Sequence, residues 1–153
     1  MHNTFTMKLD ANSQRPVIVM EQLKNYEALL DTGASFPVWV TDESLLRRLG
    51  GQLIKEDVEF HVFSNVPVKG NIYRIDNFRI GKITFKRFYF VASLDRSNKF
   101  QMILSATVFR GLEYTINDKE HTLTISFPDG ESCERELIIQ DSAGRLQILC
   151  TSA

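Results

Sequence analysis

From residue 57 onward, apolar side chains return at every second position in one short burst after another. That period belongs to strands rather than helices. "DVEFHVF" (57–63) alternates, and "IYRIDNFRIGKITFKRFYFVAS" (72–93) alternates on both sides of a turn at Gly81. "KFQMILS" (99–105) reads as an apolar strand, and "LEYTINDKEHTLTISF" (112–127) as a hairpin turning near 117–120. "PDGE" (128–131) is a turn with Pro in its second-position role. "RELIIQ" and "RLQILC" make a last hairpin over "DSAG" (141–144), and "SNVPVKGN" (64–71) reads as a turn-rich loop.

The front of the chain gives "RPVIVM" (15–20) as a strand, "EQLKNY" as a turn and "EALLD" (27–31) as the strand's hairpin partner. "TDESLLRRLGG" (41–51) has helical signals instead. Thr41 is placed to cap, Ser44 lies in the first turn, Leu45, Leu46 and Leu49 share one side, and Gly50 and Gly51 stop it. "ATVFRG" (106–111) predicts one or two helical turns. The pattern is all-β with one helix and one short helical piece.

A chain of 153 residues fits one domain with a real core. The core is expected over about 15–127, with the last hairpin (about 132–150) as an extension. A composition 43% hydrophobic and 24% charged is that of a soluble globular protein. With 18 basic against 19 acidic residues, no basic stripe points to nucleic acid. Lys82, Lys86 and Arg87 alternate with Phe85, Phe88 and Phe90, as on a half-buried strand, and Arg47 and Arg48 read as a solvated helix face. No apolar run reaches membrane-span length, and the N-terminus lacks a basic-then-apolar leader, so a cytoplasmic protein with no membrane partner is expected. Cys133 and Cys150 read as free thiols. His2, His61 and His121 are scattered away from them, so neither a metal nor another cofactor is expected.

One stretch carries chemistry. In "ALLDTGAS" (28–35) an apolar strand ends in a carboxylate, which needs hydrogen bonds in so apolar a setting. Thr32 adds a hydroxyl that can anchor nearby backbone, and Gly33 permits a tight turn with its N–H close to Asp31. Asp-Thr-Gly alone also reads as an ordinary turn; a strand before it and a helix soon after set it apart. Phe36 and Trp39 follow it, and read as core more readily than as pocket lining. Ser35 has no nucleophile-elbow pattern around it.

With those residues in order, the chain resembles the retropepsin-like aspartic proteases over about Arg15 to Phe127. "EALLDTGAS" looks like that family's catalytic strand and turn, and "SNVPVKGNIYRI" (64–75) falls where the family keeps its flap. "FRIGKITFKRFYFVAS" (78–93) is similar to the paired strands after the flap. "MILSATVF" (102–109) is similar to the segment passing beside the catalytic turn, and the 112–127 hairpin to the one that closes the domain. The resemblance implies an acid-protease barrel with one helix after the catalytic turn, and an aspartic endopeptidase. Asp31 is then catalytic, with Thr32, Gly33 and Ala34 shaping its turn. Asn65, Val66, Pro67, Val68, Lys69 and Gly70 close over a peptide, and Ile103, Leu104 and Ser105 run beside the site. Two departures stand out: Ser105 sits where the family usually has glycine, and the flap is poor in glycine.

The family's chemistry needs two carboxylates. "DSAG" is the nearest second candidate, but Ala143 separates its hydroxyl from Gly144 and it reads as a hairpin turn. A homodimer pairing Asp31 with its symmetry mate is therefore expected, with an isologous interface and Thr32 bonding across the axis as the resemblance implies. Two rivals remain. One is a retropepsin-like peptide-binding or assembly module without proteolytic activity, motivated by Ser105 and the flap. The other is a self-processing role in which the dimer forms only at high concentration.

Overall fold

The computed structural model describes residues 3–13, 16–20, 26–31, 36–61, 67–93, 102–128, 134–142 and 145–152. In chain order these form β1 (Asn3–Lys8), β2 (Val17–Met20), β3 (Tyr26–Asp31), β4 (Val38–Val40), helix α1 (Glu43–Arg48), β5 (Gln52–His61), β6 (Pro67–Ile80), β7 (Ile83–Ser93) and β8 (Met102–Ser105). A 3₁₀ turn (Ala106–Phe109), β9 (Glu113–Asn117), β10 (Thr122–Phe127), β11 (Glu134–Ser142) and β12 (Arg145–Ser152) complete the set. The protein is mostly strand with almost no helix, as the alternation requires.

A small sheet is ordered β1-β10-β9, and a large one runs β12-β11-β7-β4-β8-β3-β2, with β6 pairing β7 and β5 pairing β6. The long β7 organises the large sheet. One edge of it takes β6 along nearly its whole length. The other takes β11 at Thr84–Phe85 and β4 at Val91–Ala92. The core follows from the alternation up to Phe85 and then departs from it. Phe88, Tyr89, Phe90, Val91 and Ala92 are all buried in succession, because β7 is covered on both faces there. Phe78, Phe85, Phe88 and Phe90 form one aromatic cluster with centroids 4.8 to 5.2 Å apart. Burying each such ring contributes about 1.5–3 kcal/mol. Gly81 turns β6 into β7 with φ of +58°, and a Cβ there would lie 2.4 Å from the Phe5 ring.

The strands the alternation misses are short or weakly apolar. β1 has just Phe5 and Met7 as inward apolar residues, yet it pairs with β10 along its length, and the Phe5 ring stacks on Phe127 at 6.3 Å. Its outward threonines meet hydroxyls across the pair, Thr4 with Ser126 and Thr6 with Thr124, each at 3.1 Å. β4 is three residues long. β5 begins at Gln52, before the alternation is evident, and residues 67–71 of the expected loop are strand. The helix cap is Asp42 and not Thr41: the Asp42 carboxylate accepts from the Ser44 N–H at 3.1 Å. A carboxylate at that position also favours the helix dipole.

The C-terminal hairpin packs on its own domain. Leu137 is buried, and Glu136 pairs with Arg87 at 3.3 Å. The buried Arg135 guanidinium donates to the Arg110 carbonyl oxygen, just past the 3₁₀ turn. Ser142 and Arg145 face each other in the last described pair of that hairpin, so Asp141 and Ser142 of "DSAG" belong to a strand. Tyr26 of the expected turn "EQLKNY" belongs to β3; the rest of it (21–25), Ala143 and Gly144, and "PDGE" beyond Pro128 lie outside the described residues.

Candidate functional site

Asp31 is the last residue of β3 and is partly exposed. Apolar residues build the strand that carries it: Ala28, Leu29 and Leu30 are buried, and β2 zips onto them from Val17↔Leu29 to Met20↔Tyr26. On its other edge β3 runs parallel to β8, with Leu29↔Ile103, Leu30↔Leu104 and Asp31↔Ser105 in register. β8 in turn pairs with β4, Leu104 opposite Val38 and Ile103 opposite Trp39.

Ser105 therefore stands between the two ends of the segment that leaves Asp31. Its Cα is the register partner of Asp31 on one side, and on the other its backbone N–H donates to the Pro37 carbonyl at 2.8 Å. By resemblance "MILSATVF" is set beside the expected catalytic turn; the register pairs Ile103, Leu104 and Ser105 with Leu29, Leu30 and Asp31 of β3. Thr32, Gly33 and Ala34, the expected turn residues, lie outside the described residues.

Ser105, expected from the resemblance to be a departure from glycine, is fully buried. Its Oγ accepts from the Thr107 N–H at 3.1 Å and lies 2.8 Å from Thr107 Oγ1, so it caps the 3₁₀ turn. The hydroxyl thus has a structural partner on the C-terminal side of β8.

Paired neighbours project to the same face of a sheet. Val38, Val40, Leu30, Leu104 and Met102 are buried, while Asp31, Ile103 and Trp39, on the alternate positions, retain exposure. Over Trp39 lies the β5–β6 hairpin. Phe60 of β5 packs edge-on against Trp39 at 5.0 Å and Phe36 at 5.3 Å. Phe36 is core, as expected; Trp39 is half-buried and joins β4 to the hairpin. Nothing in the sequence marks Phe60 beyond its place in an alternating run.

The residues expected to close over a substrate divide. Asn65 and Val66 lie outside the described residues. Pro67, Val68, Lys69 and Gly70 are in β6, paired with His61, Phe60, Glu59 and Val58. Gly70 is not at a hairpin tip. It is buried at the end of the β6–β7 pairing, opposite Ser93, and a Cβ there would sit 2.4 Å from Val91 Cγ1, which explains a glycine within the strand.

Among the described residues no group of three or more His, Cys, Asp or Glu could hold a metal ion. Nor does any described helix have the length and apolar character to cross a membrane. Residues 16–108, more than half of the chain, match the model of a family described as aspartyl protease. No curated protein and no solved structure matches the sequence.

Proposed function

The chain belongs to that aspartyl protease family, and on this premise we propose that it is an aspartic endopeptidase acting as a homodimer. The observation that carries the reading is the placement of Asp31: it ends a buried strand and is locked in register beside Ser105. The Ser105 N–H also holds the returning segment at Pro37.

Asp-Thr-Gly occurs once in the sequence. The second carboxylate is then Asp31 of a second copy, across a two-fold axis. Two carboxylates about 3 Å apart cannot both ionise easily, so the pair shares a proton. The ionised member takes a proton from a water lying between them, and that water attacks the peptide carbonyl. The protonated member donates to the carbonyl oxygen as charge develops on it. The pKa values belong to the pair and not to either residue. Thr32, Gly33 and Ala34 shape the turn. The β5–β6 hairpin serves as the flap, and an extended peptide beneath it gains strand-like backbone bonds.

The test is cleavage of a peptide library from about pH 4 to 7. Wild type is expected to cut, with a fall of roughly 10³-fold or more in Asp31→Asn. A verified dimer that cuts nothing across that range overturns the endopeptidase reading. That result favours the second reading, a retropepsin-like module that binds peptide without cleaving it. Its motivating observation is the buried Ser105 side chain beside Asp31.

A further inference from the structure

The β5–β6 hairpin leaves the body of the sheet at one identifiable place. Gly70↔Ser93 is the last described pair between β6 and β7. Beyond it, Val58–His61 and Pro67–Gly70 pair with each other. At the same level the register of β5 slips: Lys55 faces Ile72 but Val58 faces Gly70, so two residues, Glu56 and Asp57, stand opposite Asn71. Such a bulge bends a strand and strengthens its twist. Asp57 carries the conformational cost, with a φ of +52° that a non-glycine residue rarely adopts.

Something must hold this bent point, and the side chains show what does. Asn71 Oδ1 accepts from the Asp57 backbone N–H at 3.0 Å. Asn71 Nδ2 donates to Glu43 Oε1 at 2.9 Å, and the Tyr73 hydroxyl donates to the same oxygen at 2.6 Å. Arg47, one turn along α1, lies 3.4 Å from that oxygen and also donates to the Tyr73 hydroxyl at 3.3 Å. A single carboxylate on α1 thus gathers two side chains of β6, and one of these fixes the bulge in β5. The helix itself is fixed to the body by buried Leu45 and Leu46.

We propose that Glu43 is a positioning residue: through Asn71 it anchors the bulge at which the β5–β6 arm leaves the sheet, and so sets the angle at which the arm lies over the face that carries Asp31. The proposal rests on the reading of that arm as the flap of a protease. Phe60 lies on the arm beyond the bulge, and its contact with Trp39 is where the arm meets the body. Trp39 is the sole tryptophan of the chain, so its emission reports that contact directly.

The experiment compares wild type with Glu43→Ala, Glu43→Gln, Asn71→Ala and Tyr73→Phe. It reads Trp39 emission, amide hydrogen exchange of residues 58–61 and 68–70, and peptide cleavage. Glu43→Ala and Asn71→Ala are expected to shift the emission and speed exchange in the arm, while the β9–β10 hairpin stays protected. Both should raise KM about tenfold, the scale of one charge-assisted hydrogen bond, with a smaller change in kcat. Glu43→Gln keeps an acceptor oxygen for Asn71 and Tyr73 and is expected to hold emission, arm exchange and KM close to wild type. Should either alanine variant fail to fold, Tyr73→Phe, which removes only a hydroxyl, carries the test with a partial shift in the same direction. Unchanged emission and arm exchange in the folded variants would overturn the proposal, as would faster exchange spread evenly over β9–β10. Emission and exchange need no substrate. A shift in both without cleavage by wild type upholds the anchor and removes the protease reading alone.

Discussion

Ser105 stands beside Asp31, and its environment gives a serine at that place a physical account. The hydroxyl caps the 3₁₀ turn through Thr107 while the backbone keeps its place between Asp31 and Pro37. Ser105→Ala is expected to leave the Thr107 N–H without that acceptor, at a cost of about 1 kcal/mol. Thermal unfolding would register this as a fall of about 2–4 °C in Tm. A Tm equal to wild type would mean that the cap contributes nothing. Gly70 makes the opposite argument, since its value is space. Gly70→Ala forces a Cβ against Val91 Cγ1 and the Ala92 carbonyl, and is expected to cost about 1–3 kcal/mol by denaturant unfolding. Adding Val91→Ala should recover part of that loss relative to Val91→Ala alone, because it removes the nearest clashing atom. In the sequence Gly70 looks like a flap glycine; only the packing of β6 against Val91 and Ala92 of β7 shows why a side chain is excluded.

Helix α1 and the hairpin it touches depend on two ionised carboxylates. A hydrogen bond from Ser44 lowers the Asp42 pKa, and hydrogen bonds from Tyr73 and then Asn71 lower that of Glu43. Each therefore binds its proton less tightly in the folded chain than in the unfolded one. Their contribution is fully present above the ordinary carboxylate range, about pH 4–4.5, and is lost as pH falls through the lowered folded values. Tm is expected to fall as pH drops from about 5 toward 3. Glu43→Gln should lower Tm at neutral pH and flatten that acid limb; an unchanged slope would show that Glu43 does not contribute to it. The helix was legible from its leucine spacing and terminal glycines. Its tie to β6 was not, because Glu43, Asn71 and Tyr73 have no spacing in the chain that marks them as neighbours.

The whole molecule is closed by pairings between distant segments. β1 is held by β10, and the C-terminal hairpin extends the sheet from β7. Arg135 links that hairpin to the backbone after the 3₁₀ turn. Arg135→Ala removes the donor to the Arg110 carbonyl and a buried side-chain stem, and is expected to destabilise by about 1–3 kcal/mol in chemical unfolding. Assembly has its own signature. If each active centre uses Asp31 of two chains, mixing wild type with an equal amount of Asp31→Asn should reduce peptide cleavage to about half, the share expected from random pairing. A hydrolase complete within one chain would show no such loss on mixing.

The sequence by itself determined the strand-rich class, the helix after the acidic turn, and Asp31 as the residue to examine. Each of these rests on short-range periods or on residues adjacent in the chain, which local backbone geometry translates directly into structure. The tertiary structure decided what depends on which segments meet. It set Ser105 in register with Asp31, drew Asn71 to both Glu43 and the Asp57 backbone, and moved Gly70 from an expected loop into a strand paired on both sides. Strand register and the packing of distant side chains are fixed by the collective burial of the core. A linear period says which face a residue takes, but not what it will touch there.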